Sequence, residues 1–303
     1  MPRSTLLLIL TASIPFLTAC QPEPQPPVLP SFAKHTTPDE FADYWFQGKA
    51  ELTSYDLNIV QYGEERKGDA LMIFVTEGIS PSKQVKLDHP KVEGEDMLTV
   101  MKLNRIWRFN TGIYDYSLMG SIFTPIQIEQ YPYSLKESIS LQDWCGQSFH
   151  QLNREKDDYL VRQFSYFEKE GDQSFKIHTD LLEDELFTRL RINPGSVPVG
   201  EYDLVPSGFF LRLSHEPIKP KRARIQFQES EASIQCVVEY LHLDRTVSIN
   251  FEPEFPHKIL SWTEKQGQNI VVEGKVRQTI RNDYWTKNAG EFLPLRDSLK
   301  IAF

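Results

Sequence analysis

The sequence predicts a mainly β protein, built as a large antiparallel curved sheet or open barrel with one or two short helices. Apolar and polar residues alternate with period two over most of the chain, turn residues break the alternation at intervals, and several alternating runs reach ten residues or more. Alternation marks strands with one buried and one wet face, which antiparallel sheets show and doubly covered parallel sheets do not. Long meandering strands fit a curved sheet or barrel better than a compact sandwich.

A short helix is predicted near Pro38–Trp45, with Thr37 as N-cap and Pro38 at the first position. It competes with a first strand in which Tyr44, Phe46, Gly48, Ala50 and Leu52 share one face, opposite Gln47, Lys49, Glu51 and Thr53. Met101, Leu103, Trp107 and Phe109 oppose Lys102, Asn104, Arg108 and Asn110 on another strand, and Val247, Ile249 and Phe251 oppose Thr246, Ser248 and Asn250 on a third. Further strands are expected at Asp69–Thr76, Gln84–Leu87, Ile113–Phe123, Ser138–Phe149, Tyr159–Phe167, Phe209–Ser214, Ala223–Gln228, Ser233–Leu243, Lys258–Glu264 and Ile270–Ile280. Gly112, Glu170-Gly171-Asp172, Asp244-Arg245 and Gln266-Gly267-Gln268 supply the turns. A second helix is predicted from about Asp180 to Arg191. Leu181, Leu182, Glu185, Leu186 and Leu190 have helical spacing, Thr179 or Asp180 can cap it, and Asn193-Pro194-Gly195 stops it. Its acids, Asp180, Glu183 and Asp184, suit the positive end of the helix dipole, and Arg189 and Arg191 suit the negative end. The aromatic groups Tyr114/Tyr116/Leu118 and Phe209/Leu211/Leu213 have strand spacing and fit either a filled core or a cavity lining. The exposed strand faces carry Lys, Glu and Arg, unlike the apolar band of a transmembrane barrel.

The N-terminus has a different character. Met1–Cys20 reads MPRSTLLLILTASIPFLTAC: a positive Arg3, an apolar stretch Thr5–Leu17 broken by Pro15, and the closing tetrapeptide Leu17-Thr18-Ala19-Cys20. The stretch is too short and too interrupted for a transmembrane helix. Its ending resembles the lipobox of bacterial lipoproteins, which implies cleavage before Cys20 and lipid attachment to the Cys20 thiol. Each buried CH₂ contributes ~0.8 kcal/mol, so two or more acyl chains hold stably where one is marginal. Gln21–Pro30, QPEPQPPVLP, favours polyproline II and forms a semi-rigid spacer of roughly 30 Å. The expected organisation is a signal peptide at 1–19, a lipid anchor and Pro-rich linker at 20–36, and a β-rich domain at 37–303, undivided or in two halves that part near residue 195. Gln21, where an Asp would favour inner-membrane retention, points to the outer membrane, and the absence of an acidic run after Cys20 points to its periplasmic face.

The whole chain carries a formal net charge of −9, and removal of Arg3 makes it more negative. That disfavours nucleic acid and anionic headgroups as partners. Besides Cys20 there are Cys145 and Cys236, which in an oxidising compartment are either a disulfide or two buried thiols. No metal-binding spacing, nucleophile elbow or phosphate-cradling glycine loop occurs, so no catalytic, cofactor-binding or metal residue is assigned. His242 and Asp244 end one strand two residues apart and read as a surface turn. The acidic pairs Glu64-Glu65 and Asp157-Asp158 read as solvated loops, and Lys219–Arg224 as a charged hairpin.

The run YWFQGKAELTSYDLNIVQYGEERKGDALMIFVTEGISPSKQVKLD, Tyr44–Asp88, resembles an uncharacterised family of bacterial lipoproteins often carried under the name "septum formation inhibitor Maf". Pro198–His215 and Phe255–Glu264 are similar to further blocks of that family. Taken literally, the name implies an α/β nucleotide pyrophosphatase opening on an LASxSPRR-like phosphate-binding segment. Leu8–Cys20 lacks its paired arginines, so no catalytic residue is carried over.

The expected function is a non-enzymatic binding or assembly module anchored in the cell envelope, taking an apolar or lipid ligand or docking on another envelope protein. The alternatives are an envelope hydrolase using loop carboxylates and a nucleotide pyrophosphatase.

Overall fold

In the computed structural model of the chain, residues 38–89, 96–230 and 232–301 are described. Helix α1 (Pro38–Trp45) leads into strands β1 (Ala50–Gln61), β2 (Glu64–Ser80), the short β3 (Val85–Lys86), β4 (Leu98–Thr111), β5 (Tyr114–Pro125), β6 (Lys136–Gln142), β7 (Gln147–Glu155), β8 (Asp158–Ser165) and β9 (Gln173–His178). Then come β10 (Leu181–Leu182), helix α2 (Glu185–Ile192), β11 (Gly200–Val205) and helix α3 (Gly208–Leu213). The chain finishes through β12 (Lys221–Glu229), β13 (Ile234–Tyr240), β14 (Arg245–Phe251), β15 (Ile259–Gln266), β16 (Asn269–Asn282) and helix α4 (Pro294–Ser298).

These strands form a single 16-stranded sheet in which β16 lies beside β1, so the N- and C-terminal parts of the chain share one ladder. Pairing is antiparallel throughout, except that β10 runs parallel to β11. The turn chemistry fixes the register. Gln61 pairs with Glu64 across Tyr62-Gly63, and both turn residues have positive φ (57° and 76°), as a type I′ hairpin requires. Irregularities at Ser54/Tyr55, Asn250/Phe251 and Glu264/Lys265 add local bend and twist. The curl brings the edges together without closing the ladder: β9 pairs with β8 at one edge, and two residues later β10 pairs with β11 at the other. The architecture is therefore the open, curved one expected.

A sheet of so many strands would enclose a wide lumen if empty. Here the chain turns inward after β10, and helix α2 fills the space with all eight of its residues buried. Leu186, Phe187 and Leu190 pack with Trp107, Trp262, Tyr55 and Phe74 of the concave face, and Phe209 of α3 meets Trp107 at 4.8 Å between ring centres. On the opposite face, Leu299, just after α4, covers Leu52, Leu71 and Ile73. This explains why Ala70–Val75 is a continuous apolar run: both of its faces are covered.

Four local expectations are corrected. The second helix starts at Glu185, not Asp180: Leu181 and Leu182 instead pair in parallel with Leu204 and Val205. Tyr44–Gly48 is not strand: α1 runs through Trp45, and β1 begins at Ala50. Phe209–Ser214 is helical, not extended. Ser207 caps it by accepting from the Phe209 N–H at 3.4 Å, and with apolar residues at buried and half-buried positions alike, alternation carried no information about solvent. Ser138–Phe149 is two strands, because Asp143 Oδ1 accepts from the N–H groups of Cys145 (2.7 Å) and Gly146 (3.1 Å) and turns the chain.

Candidate functional site

The segment Glu183–Ile192 carries five charged side chains into the interior. Glu183 accepts from Arg245 on β14 at 2.5 and 2.8 Å and from the Tyr240 hydroxyl at 2.5 Å. Arg245 also holds Glu264 on β15 at 2.6 Å. Asp184 pairs with Arg105 on β4. Arg189 binds Glu185 one turn back at 3.0 Å. Arg191 makes a two-pronged contact with Glu51 on β1 at 2.6 and 2.8 Å, and Glu51 also accepts from the Tyr44 hydroxyl. Each buried ion carries a desolvation penalty of several kcal/mol, tolerable only with such bonding. The charges expected to complement the helix dipole therefore bolt the plug to the sheet.

The ionisation pattern follows from these partners. Burial alone would raise Glu51 and Glu183, but Arg191 and Arg245 hold both below the usual carboxylate range. Burial prevails at Asp184 and Glu264, which are raised despite their arginines. Glu137 on β6 is driven well above the carboxylate range by burial and by the nearby Asp184 and Glu185. His150 on β7, 4.0 Å from Glu137, is pushed down to about 4 by burial, and its Nε2 has no hydrogen-bond partner. Beside Glu137, a void of about 10 Å³ bounded by Arg105, Asp184 and Phe209 has room for about one water molecule. These carboxylates are committed to structure, and the space beside them does not admit a substrate.

The space that can admit one lies at an end of the curved sheet. A groove of about 1250 Å³ runs between Phe41 of α1, the β5–β6 loop (Ile126, Ile128, Tyr133) and the segment flanking the plug (Leu181, Ile192). Arg189 ties two of its walls by donating to the carbonyl oxygens of Pro132 and of Ser196, the latter at 3.1 Å. Pro38, where the described domain begins, lies on the groove wall. A second trough, about 830 Å³, lies on the outer face, where Met119, Phe149 and Phe164 stand in one cross-strand row through Ser140.

The residues singled out in the sequence are mostly elsewhere. Cys20 lies outside the described residues. Cys145 is an exposed free thiol in the β6–β7 turn, and Cys236 is a buried free thiol on β13, pushed up to about 12 by burial. The disulfide alternative is thus not formed in this structure, and of the two thiols expected to be buried, Cys145 is not. Asp244 is turn backbone, accepting from the Gly267 N–H at 3.1 Å. The basic cluster is neutralised: Arg224 meets Glu201 at 2.7 Å and Arg222 meets Asp203 at 3.6 Å. Glu64 pairs with Arg66 at 2.8 Å and Asp158 with His178 at 3.2 Å, whereas Asp157 reaches the rim of the end groove. Tyr116, Leu118, Phe209 and Leu211 are buried in the core. The sequence did not disclose the groove, because its walls come from loops far apart along the chain. No family model, curated protein or solved structure matches this chain.

Proposed function

We propose that the protein is a lipid-anchored component of the cell envelope that acts as a non-enzymatic binding module, holding an apolar chain in the groove at the end of its sheet. The observation that carries this reading is the contrast between two spaces. The lumen is filled by a helix whose charges are satisfied, whereas the end groove is large, mostly apolar and open. Clefts of this kind, apolar with a few polar groups, are where small ligands seat. Pro38 on the groove wall means that the chain leading back to Cys20 enters the domain beside this opening. A ligand leaving or entering a membrane would thus meet the groove on the tethered side.

The test has two parts. Metabolic labelling with palmitate should mark the wild-type chain and not a Cys20→Ala variant. Native mass spectrometry of the processed chain carrying Cys20→Ser should show adducts of acyl-chain mass, or take them up from added dodecanol. A bare mass under all conditions removes the ligand reading and leaves docking on an envelope protein.

A further inference from the structure

The end groove is lined by a guanidinium that has no carboxylate partner among the described residues. Arg154, the penultimate residue of β7, lines the groove, and its Nε and Nη1 are buried without a hydrogen-bond partner. Among the described residues, no carboxylate forms an ion pair with it. The adjacent Glu155 is taken by Lys176 at 2.9 Å, and Asp158 is taken by His178. Arg154 is half-buried, and a cation with part of its guanidinium out of water is normally paired, because the buried N–H groups otherwise go unsatisfied.

Arg154 is also held in place. Its N–H donates to the Leu135 carbonyl at 2.9 Å, and its own carbonyl accepts from the Gln84 side chain at 2.7 Å. The guanidinium lies 3.7 Å from the ring centre of Tyr133 and 5.1 Å from that of Tyr159, its cross-strand neighbour. The Tyr159 hydroxyl is committed to the Ser134 carbonyl at 2.8 Å, so that ring cannot swing away. Stacking on aromatic faces leaves the edge of a guanidinium free for a planar or tetrahedral oxyanion. Ile126, Ile128 and Leu181 supply apolar wall in the same groove.

Building on the binding-module reading, we infer that the groove takes an amphiphile with an anionic head, the acyl or alkyl chain lying along the apolar wall and the carboxylate or phosphate oxygens on Arg154. The acids at the rim do not cancel this. Glu129 and Asp157 are exposed to solvent, where their fields are screened, and Asp180 accepts from the Asp203 N–H at 2.8 Å.

The experiment titrates the processed chain carrying Cys20→Ser with dodecanoate, dodecyl phosphate and dodecanol, which share one tail and differ in the head. Both anions should bind more tightly than dodecanol. Arg154→Gln should weaken the anions about tenfold to hundredfold, the range expected for losing a charge-assisted hydrogen bond, and leave dodecanol unchanged. Arg154→Lys, which keeps the charge and loses the fork, should fall between. Tighter binding of the phosphate would assign the head to a phospholipid-like ligand, and tighter binding of the carboxylate to a fatty acid. If all three bind equally and Arg154→Gln changes none of them, head recognition is refuted and the groove reading stands. If none binds the wild-type groove, the groove reading itself fails.

Discussion

Arg191 shows what a single residue does in this fold. It sits on the plug helix, makes a two-pronged contact with Glu51, donates to the Pro256 carbonyl at 2.7 Å and lies over Phe74 with 4.6 Å to the ring centre. Replacing it with Met would keep the volume and strand a buried carboxylate. Arg191→Met should therefore lose about 3–5 kcal/mol of stability, read from urea unfolding at neutral pH, and the double variant with Glu51→Gln should recover part of that loss. His150 makes a pH-dependent contribution. It is lowered from 6.5 to about 4, so the folded form stays neutral where the unfolded chain takes up a proton. Its contribution is intact above the unfolded pKa and is lost as pH falls through this window, amounting to roughly 3 kcal/mol by linkage. Wild type should lose that much relative to His150→Gln between pH 7 and pH 4 in parallel urea titrations. Equal pH slopes would show that the imidazole is protonated in the folded state.

Among elements, the β15–β16 pair shows how the core dictates a residue that alternation cannot. Gly274 lies opposite Trp262, and a Cβ at Gly274 would come within 2.1 Å of the indole ring. That ring stacks on Trp107 at 6.0 Å, at the centre of the concave face. Gly274→Ala must push the indole aside and should destabilise by about 1–3 kcal/mol with loss of near-ultraviolet circular dichroism. An unchanged spectrum and midpoint would mean that the sheet can relax around the methyl group. The same physics decides how much was legible. Strands whose burial alternates, such as β14, announced themselves by period two, and turns at Gly112 and Gly267 marked the ends of β4 and β15. The helix at Gly208–Leu213 was misread because apolar residues occupy buried positions, Phe209 and Leu211, as well as half-buried ones, Phe210 and Leu213, which leaves no polar face to set the period. The charges at and before α2 were legible only as complements to the helix dipole, since a sequence does not show that Arg105, Arg245 and Glu51 wait across the lumen. The end groove was invisible for a similar reason: residues 126–133, 154 and 181–202 come together only through the curl of the sheet.

For the whole molecule, the plug makes the curved sheet a solid body, and the groove proposed to bind ligand lies at its end, beside Pro38. The filled lumen removes an internal carrier cavity, and the outer trough around Phe149 and Phe164 is the competing surface. The measurement that separates them is photocrosslinking of the processed chain with a diazirine-bearing fatty acid, followed by peptide mapping. The end-groove account predicts labels on the Ile126–Tyr133 loop and the Leu181–Pro198 segment, displaced by excess dodecanoate. Labels confined to Met119, Phe149, Phe164 and Tyr166, or labels that excess ligand does not displace, would contradict it.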